Sequence, residues 1–289
     1  MTATAATAAT AATAETVQTS RTELREFVSR PVPELREDPT APQRISEFLG
    51  ALESGEARAA ERDADGTWHA NAWVKSGILA AFALSETLEL PGWPGGAVDK
   101  SLVPPRQIES RHGIRLVPGG TSVRRGAGLA AGTVVMPPSY LNTGAWVGAG
   151  SMVDSHVLVG SCAQVGEHVH LSTAVQLGGV LEPVGATPVV IEDDVFVGAQ
   201  CGLFEGVIVR ECAVLAPGVT LTSRTVIYDL VNGREVSGEV PAGAVVVPGS
   251  RPARGAYAEG LGLSLYAPVI VKYRDGSTDA STVLEEALR

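Results

Sequence analysis

One run of the chain, "MVDSHVLVGSCAQVGEHVHL", holds Asp154, His156, His168 and His170, so three of the five histidines in the whole sequence fall within it. An imidazole titrates near neutral pH, and a carboxylate close to it can hold an amine or share its proton. His156 stands two positions after Asp154, which makes it a candidate base. Each has a plainer reading as well. Aspartate in a turn often bonds its own backbone, and His156 could be a polar surface residue. Three histidines also raise the question of zinc, which only the element carrying them can answer.

That element announces itself by an unusual beat. Aliphatic residues fall at Val117, Val123, Leu129, Val135, Leu141, Val147, Val153, Val159, Val165, Leu171 and Leu177, eleven in eleven slots six residues apart. The beat breaks at "EPVGATPVV" and resumes two residues out of phase at Ile191, Val197, Leu203, Val209, Leu215 and Leu221. Neither a 3.6-residue nor a 2-residue period produces it. A parallel β-helix of hexapeptide rungs does: each unit is a short strand and a corner, and three units close a triangular coil of about 18 residues. The slot residues point inward and stack. Gly148, Gly160, Gly166, Gly178 and Gly198 each follow a slot and are expected at corners where the backbone turns sharply, whereas Asp154 stands in that same place after Val153. Hexapeptide coils wind left-handed, against the usual right-handed crossover preference.

This architecture disposes of several tempting motifs. Residues share a face only at multiples of about 18, so His156 and His168, 12 apart, lie on different faces, and no metal is expected. "GAGLAA" at 126–131 imitates a dinucleotide loop but opens no helix, and "GGAVDKS" lacks the glycine a phosphate loop needs before its lysine. Cys162, Cys201 and Cys212 form no Cys-x-x-Cys pair; their odd number suits reduced thiols in a cytoplasmic protein, with Cys162 and Cys201 as packing residues.

Around the repeat the chain changes character. Residues 1–20, "MTATAATAATAATAETVQTS", are expected to be a disordered Ala/Thr-rich tail without the features of a secretory signal. Residues 21–112 are expected to form an α-helical N-terminal domain, with Ile45, Phe48, Leu49 and Leu52 as the apolar stripe of one helix stopped by Gly55. The β-helix is assigned to 113–248, with an extruded loop at 183–190, and a C-terminal extension of a strand pair and a short helix to 249–289. Hydrophobic residues are 45% of the chain but aromatics only 5%, so Val, Leu, Ile and Ala must fill the interior. A net charge of −10 with no basic stripe argues against a nucleic-acid partner, and no apolar stretch is long enough to span a membrane.

The local text goes beyond the fold. "MVDSHVLVGSCAQVGEHVHLS", "GGVLEP", "VVIEDDVFVGA", "EGVIV", "IYD", "VPAGAVVVPGS" and "SLYAPVIVK", together with "GIRLVP" and Asp99-Lys100 upstream, resemble the signature segments of the tetrahydrodipicolinate N-succinyltransferases, in order over residues 44 to 289. The resemblance implies transfer of succinyl from succinyl-CoA to the amino group of ring-opened tetrahydrodipicolinate, L-2-amino-6-oxopimelate, in lysine and diaminopimelate biosynthesis. It also implies a homotrimer with active sites between neighbouring prisms. By the same resemblance Asp154 contacts the acceptor's amino end, and Arg115 a carboxylate, for which a guanidinium fork is suited. Arg224, Arg251 and Lys272, with Arg254, are candidates for the phosphates of CoA. Two stretches depart from the family pattern. Where relatives read Arg-Ser-Glu, with the glutamate as proposed base, this chain has Gln200-Cys201-Gly202, and His156 replaces a tryptophan. These departures leave open a paralogue with another acyl donor or acceptor, or a non-catalytic trimeric binding protein.

Overall fold

The structure, a computed structural model, describes residues 21–90 and 96–274. The 1–20 tail and the C-terminal helix expected near 279–289 lie outside the described residues.

Short parallel strands stack into three sheets that run side by side along one axis, a left-handed parallel β-helix. We call them faces one, two and three in chain order. Face one stacks Arg115–Leu116, Val134–Val135, Met152–Val153, His170–Leu171, Phe196–Val197 and Val214–Leu215 and ends on the long strand Ala244–Pro252. Face two runs from Ser122–Val123 to Thr220–Leu221, and face three from Gly128–Leu129 to Glu239–Val240. Val147 pairs with Val165, the third slot after it, as a coil of three rungs requires. Val123 through Leu221 line one continuous apolar interior, the slot residues all buried.

The register corrects the sequence reading at its first slot. Leu116, not Val117, stands beneath Val135, so the opening coil is longer than the regular ones. Both later interruptions leave at the corner between faces two and three. At the first, Val165 pairs with Ile191, and the chain between them exceeds one regular coil by the extruded loop. Val190 already pairs with Gln164, so that loop closes before it. At the second, Leu215 pairs with Val246, and the longer excursion between them holds the hairpin of Ile227–Asp229 and Arg234–Val236. The strand Ala244–Pro252 runs straight through the 248/249 boundary expected from sequence and pairs antiparallel with Ser264–Tyr273.

The corners also differ from expectation. Gly148 and Gly160 have no left-handed backbone; they are small because the next coil presses on them. A Cβ at Gly148 would lie 2.3 Å from the Gly166 carbonyl oxygen. The left-handed residue comes three positions after the slot and is often not glycine: His156 (φ 63°), Cys162 (φ 68°), His168 (φ 53°), Ala174 (φ 61°) and Gln200 (φ 61°) all sit there. Such conformations cost non-glycine residues about 1–2 kcal/mol each, and glutamines bonded to the corner carbonyls help hold them. Gln176 Nε2 donates to the carbonyls of His156, Ala174 and Val175, and Gln164 Nε2 to those of Gly144, Cys162 and Ala163.

The N-terminal segment packs on face three. Helix Ala41–Ser54 buries Ile45, Phe48, Leu49 and Leu52 and ends at Gly55 (φ 83°), as its stripe and stop signal demand. Helix Ala72–Leu84 is apolar nearly all round and is buried against it, Gly77 admitting the Phe48 ring. Its Lys75 is entirely buried; burial lowers its pKa, and Nζ donates to the Ala186 carbonyl, tying the extruded loop to this helix. The segment is not purely helical, since Ala60–Arg62 pairs with Trp68–Ala70 across the turn at Asp65-Gly66.

Candidate functional site

Asp154 follows the strand Met152–Val153 at the corner between faces one and two, half-buried, with its side chain turned outward. Oδ1 accepts the Ser155 backbone N–H at 2.7 Å and Oδ2 the Thr173 hydroxyl at 3.0 Å. The first bond is the local turn contact that aspartate favours; the second, from the coil above, fixes the carboxylate while leaving it able to accept further donors.

Arg115 lies on the same face. It pairs with Val134, which pairs with Met152, so Arg115 stands two coils below the Asp154 rung, roughly 10 Å along the axis at the usual strand spacing. It is exposed; its backbone N–H donates to the Thr133 carbonyl at 2.9 Å, while its guanidinium has no hydrogen bond or ion pair with any described residue. Face one and its corner thus present an exposed guanidinium and an oriented carboxylate two coils apart.

His156 occupies the exposed left-handed corner two residues past Asp154, its backbone N–H donating to the Pro138 carbonyl at 2.6 Å. A second imidazole, which in the sequence suggests itself only as a metal ligand, lies closer to the face. His170 sits one coil above Met152 on face one, stacked on Phe196 with ring centroids 5.1 Å apart and planes 22° from parallel. Burial holds the His170 pKa below its ordinary value, and the nearby Asp154 carboxylate opposes that shift. The spacing carries the signal for it: His170 follows Met152 by a single regular coil. His168 lies instead at the corner between faces three and one, against Gly150. Among the described residues no group of three His, Cys, Asp or Glu side chains is placed to hold a metal.

The position of the absent glutamate is filled. Gly202 lies on face two, between Gln176 and Thr220, and the Phe204 ring folds back over it. A Cβ at Gly202 would come within 2.6 Å of Phe204 Cε2, and one at Gly178 within 2.7 Å of Cδ1. The two buried thiols are poor candidates for a nucleophile, because burial pushes Cys162 up to about 12 and Cys201 up to about 11.

The basic residues expected at the donor's phosphates are dispersed. Lys272 pairs with Val245 at the base of the C-terminal strand pair, whereas Arg251 pairs with Leu265, six residues further along and roughly 20 Å away. Arg224 is exposed in the turn after Leu221. No described helix is long and apolar enough to cross a membrane.

Comparison with known proteins identifies the family. Residues 32–84 match the family described as tetrahydrodipicolinate N-succinyltransferase N-terminal, and residues 188–223 the hexapeptide repeat of succinyl-transferase. Proteins named 2,3,4,5-tetrahydropyridine-2,6-dicarboxylate N-succinyltransferase are similar over most of their length. That of Afipia carboxidovorans is 47% identical over 83% of this chain and 87% of its own. That of Bradyrhizobium diazoefficiens is 45% identical over 86% and 89%, and that of Nitrobacter winogradskyi 43% identical over 85% and 89%. With the coiled repeat, the N-terminal helices and near-full-length identity in agreement, the chain belongs to the tetrahydropyridine-dicarboxylate N-succinyltransferase family.

Proposed function

We propose that the protein transfers the succinyl group of succinyl-CoA to the amino group of tetrahydrodipicolinate in its ring-opened form. The amine nitrogen attacks the thioester carbonyl, a C–N bond forms, the C–S bond breaks, and CoA leaves as thiol while the nitrogen loses a proton. Asp154 holds the amine in line for attack, and Arg115 holds one acceptor carboxylate through a bidentate fork. His156, exposed at the corner beside Asp154, accepts the proton, the general-base role that an imidazole most often fills. Backbone N–H groups at the corners stabilise the oxyanion. The working unit in this reading is a cytoplasmic homotrimer with sites at the seams between prisms, where Arg224, Arg251 and Lys272 meet the phosphates of the donor.

The observation that carries this reading is Arg115 on face one and Asp154 at that face's corner, two coils apart, in a chain from this family. One feature favours a second reading. The Phe204 ring over Gly202 makes that part of face two apolar and leaves no carboxylate there, as a paralogue with an altered acyl donor or acceptor would need. Release of free thiol with tetrahydrodipicolinate separates them. Turnover with succinyl-CoA and not with acetyl-CoA or longer donors supports the first; turnover only with another donor supports the second. A folded protein that turns over none of them with this acceptor contradicts the first and favours a paralogue with another acceptor or a binding role.

A further inference from the structure

A cavity of about 310 Å³ lies where the N-terminal segment meets face three, away from Asp154, with Trp68 and Trp146 among its walls. Its most unusual occupant is Arg58. The guanidinium carbon stands 4.3 Å from the centroid of the Trp146 ring, and Nε donates to Gln164 Oε1 at 2.7 Å. Gln164 is itself buried and pinned by three backbone carbonyls, so it fixes the plane of the arginine.

A guanidinium carries five N–H donors, and only the one on Nε is used here. Among the described residues nothing accepts a hydrogen bond from Nη1 or Nη2 of Arg58. Burial destabilises this cation enough to lower its pKa to about 10, although Glu61 and Asp193 counter at a distance. Leaving a desolvated cation with idle donors is unfavourable, and a planar carboxylate satisfies two of them at once.

The opposite side of the cavity is mainly acidic, although the Arg62 guanidinium also lines the space, its Nε 3.5 Å from Glu192 Oε1. Glu192 is already committed, to Trp68 Nε1 at 2.8 Å, Arg210 Nη1 at 3.1 Å and the Glu211 N–H at 3.1 Å. Asp193 engages the Glu167 N–H through Oδ1 at 2.7 Å, whereas its Oδ2 has no hydrogen-bond partner among the described residues, and Glu167 and Glu211 line the same space. A dianion would be repelled by these groups, and a simple amine would leave Arg58 unanswered.

We propose that this cavity binds an α-amino acid, its carboxylate on Nη1 and Nη2 of Arg58, its ammonium toward Asp193 and Glu167, and its side chain between the two tryptophans. The site is separate from the acyl-transfer face, and its test involves neither CoA nor the acceptor.

Titration calorimetry of the full chain with L-norleucine, hexanoate and pentylamine tests it, since the last two each lack one of the charged groups. Saturable binding of norleucine is expected, with hexanoate and pentylamine at least tenfold weaker. Arg58→Gln should weaken norleucine at least tenfold. Because Arg58 also joins the two parts of the protein, Glu167→Gln at an exposed position serves as the second variant. It should weaken norleucine severalfold and leave hexanoate unchanged or tighter. No saturable heat with norleucine, or hexanoate binding as tightly as norleucine, overturns the proposal.

Discussion

The ring of Phe204 lies directly over Gly202, close enough that a Cβ on the glycine would meet Cε2 at 2.6 Å. The two residues stand two apart on one strand and its exit, so both border face two, and the larger fills the space the smaller leaves. The pair behaves as one unit. Gly202→Glu alone should therefore lower the thermal midpoint, because the new side chain must displace an aromatic ring, an overpacking cost of about 1–3 kcal/mol. Adding Phe204→Val should return most of that stability. Thermal unfolding of both variants checks it, and a single variant as stable as the parent would show that the ring moves freely.

The imidazole beside Asp154 on face one should report that carboxylate. Burial depresses the His170 pKa and Asp154 raises it, so removing the carboxylate must lower it further. In an NMR titration His170 should change protonation below the ordinary value of about 6.5, and lower still in Asp154→Asn. A rise in that variant would mean the two groups do not sense one another.

His156 carries the proton-accepting role in the proposed reaction. His156→Ala should lower kcat at neutral pH by about 10²-fold or more, whereas His170→Gln should have the smaller effect. Steady-state rates at pH 7 decide it, and full turnover in His156→Ala removes His156 from the mechanism.

How far the sequence speaks for this molecule depends on how far apart its contacts lie. The prism interior is a one-dimensional stack, so one aliphatic per rung suffices to write it, and Val123 through Leu221 are legible at once. Phase errors are not. Val117 fits the arithmetic while Leu116 makes the contact, because a longer opening coil leaves no mark in composition. Asp154 and Arg115 are readable by resemblance, whereas His170 requires the coil register that places it above Met152. Arg58 is out of reach altogether, since its partner Gln164 is 106 residues away and belongs to another element. The reason for Gly148 is also hidden: close approach of the next coil looks, in sequence, just like a tight turn.

The same close approach gives a stability test. A Cβ at Gly160 would lie 2.3 Å from the Gly179 nitrogen and 2.6 Å from the Leu177 carbonyl oxygen, both backbone atoms that cannot swing aside. Gly160→Ala should destabilise the fold by at least about 2 kcal/mol, in the range of severe core changes. Denaturant unfolding measures it, and a loss near zero would mean the coils are not in contact at this corner.

Acid sensitivity should centre on Asp229. Burial pushes its carboxyl up, but hydrogen bonds from Asn232, Tyr273 and Arg234 outweigh that and hold it well below the usual carboxylate range. A carboxyl depressed in the folded state stabilises above its unfolded pKa of about 3.9 and loses that contribution as pH falls through and below it. Asp229→Asn should be less stable than the parent at pH 7, with the gap narrowing below about pH 5. Parallel denaturant curves at neutral and acid pH test this, and a gap independent of pH would place the stabilisation elsewhere.

The central claim is that Asp154 holds the acceptor's amine for attack on a succinyl thioester. Thiol release from succinyl-CoA in the presence of tetrahydrodipicolinate, compared between the parent and Asp154→Asn, tests it most directly. Asparagine keeps an oxygen for the Ser155 N–H and an amide that can donate to the Thr173 hydroxyl, while losing the charge. The expected result is turnover by the parent and a loss of kcat/KM of about 100-fold or more in a variant with unchanged thermal midpoint. Equal kcat/KM in the two proteins would contradict it.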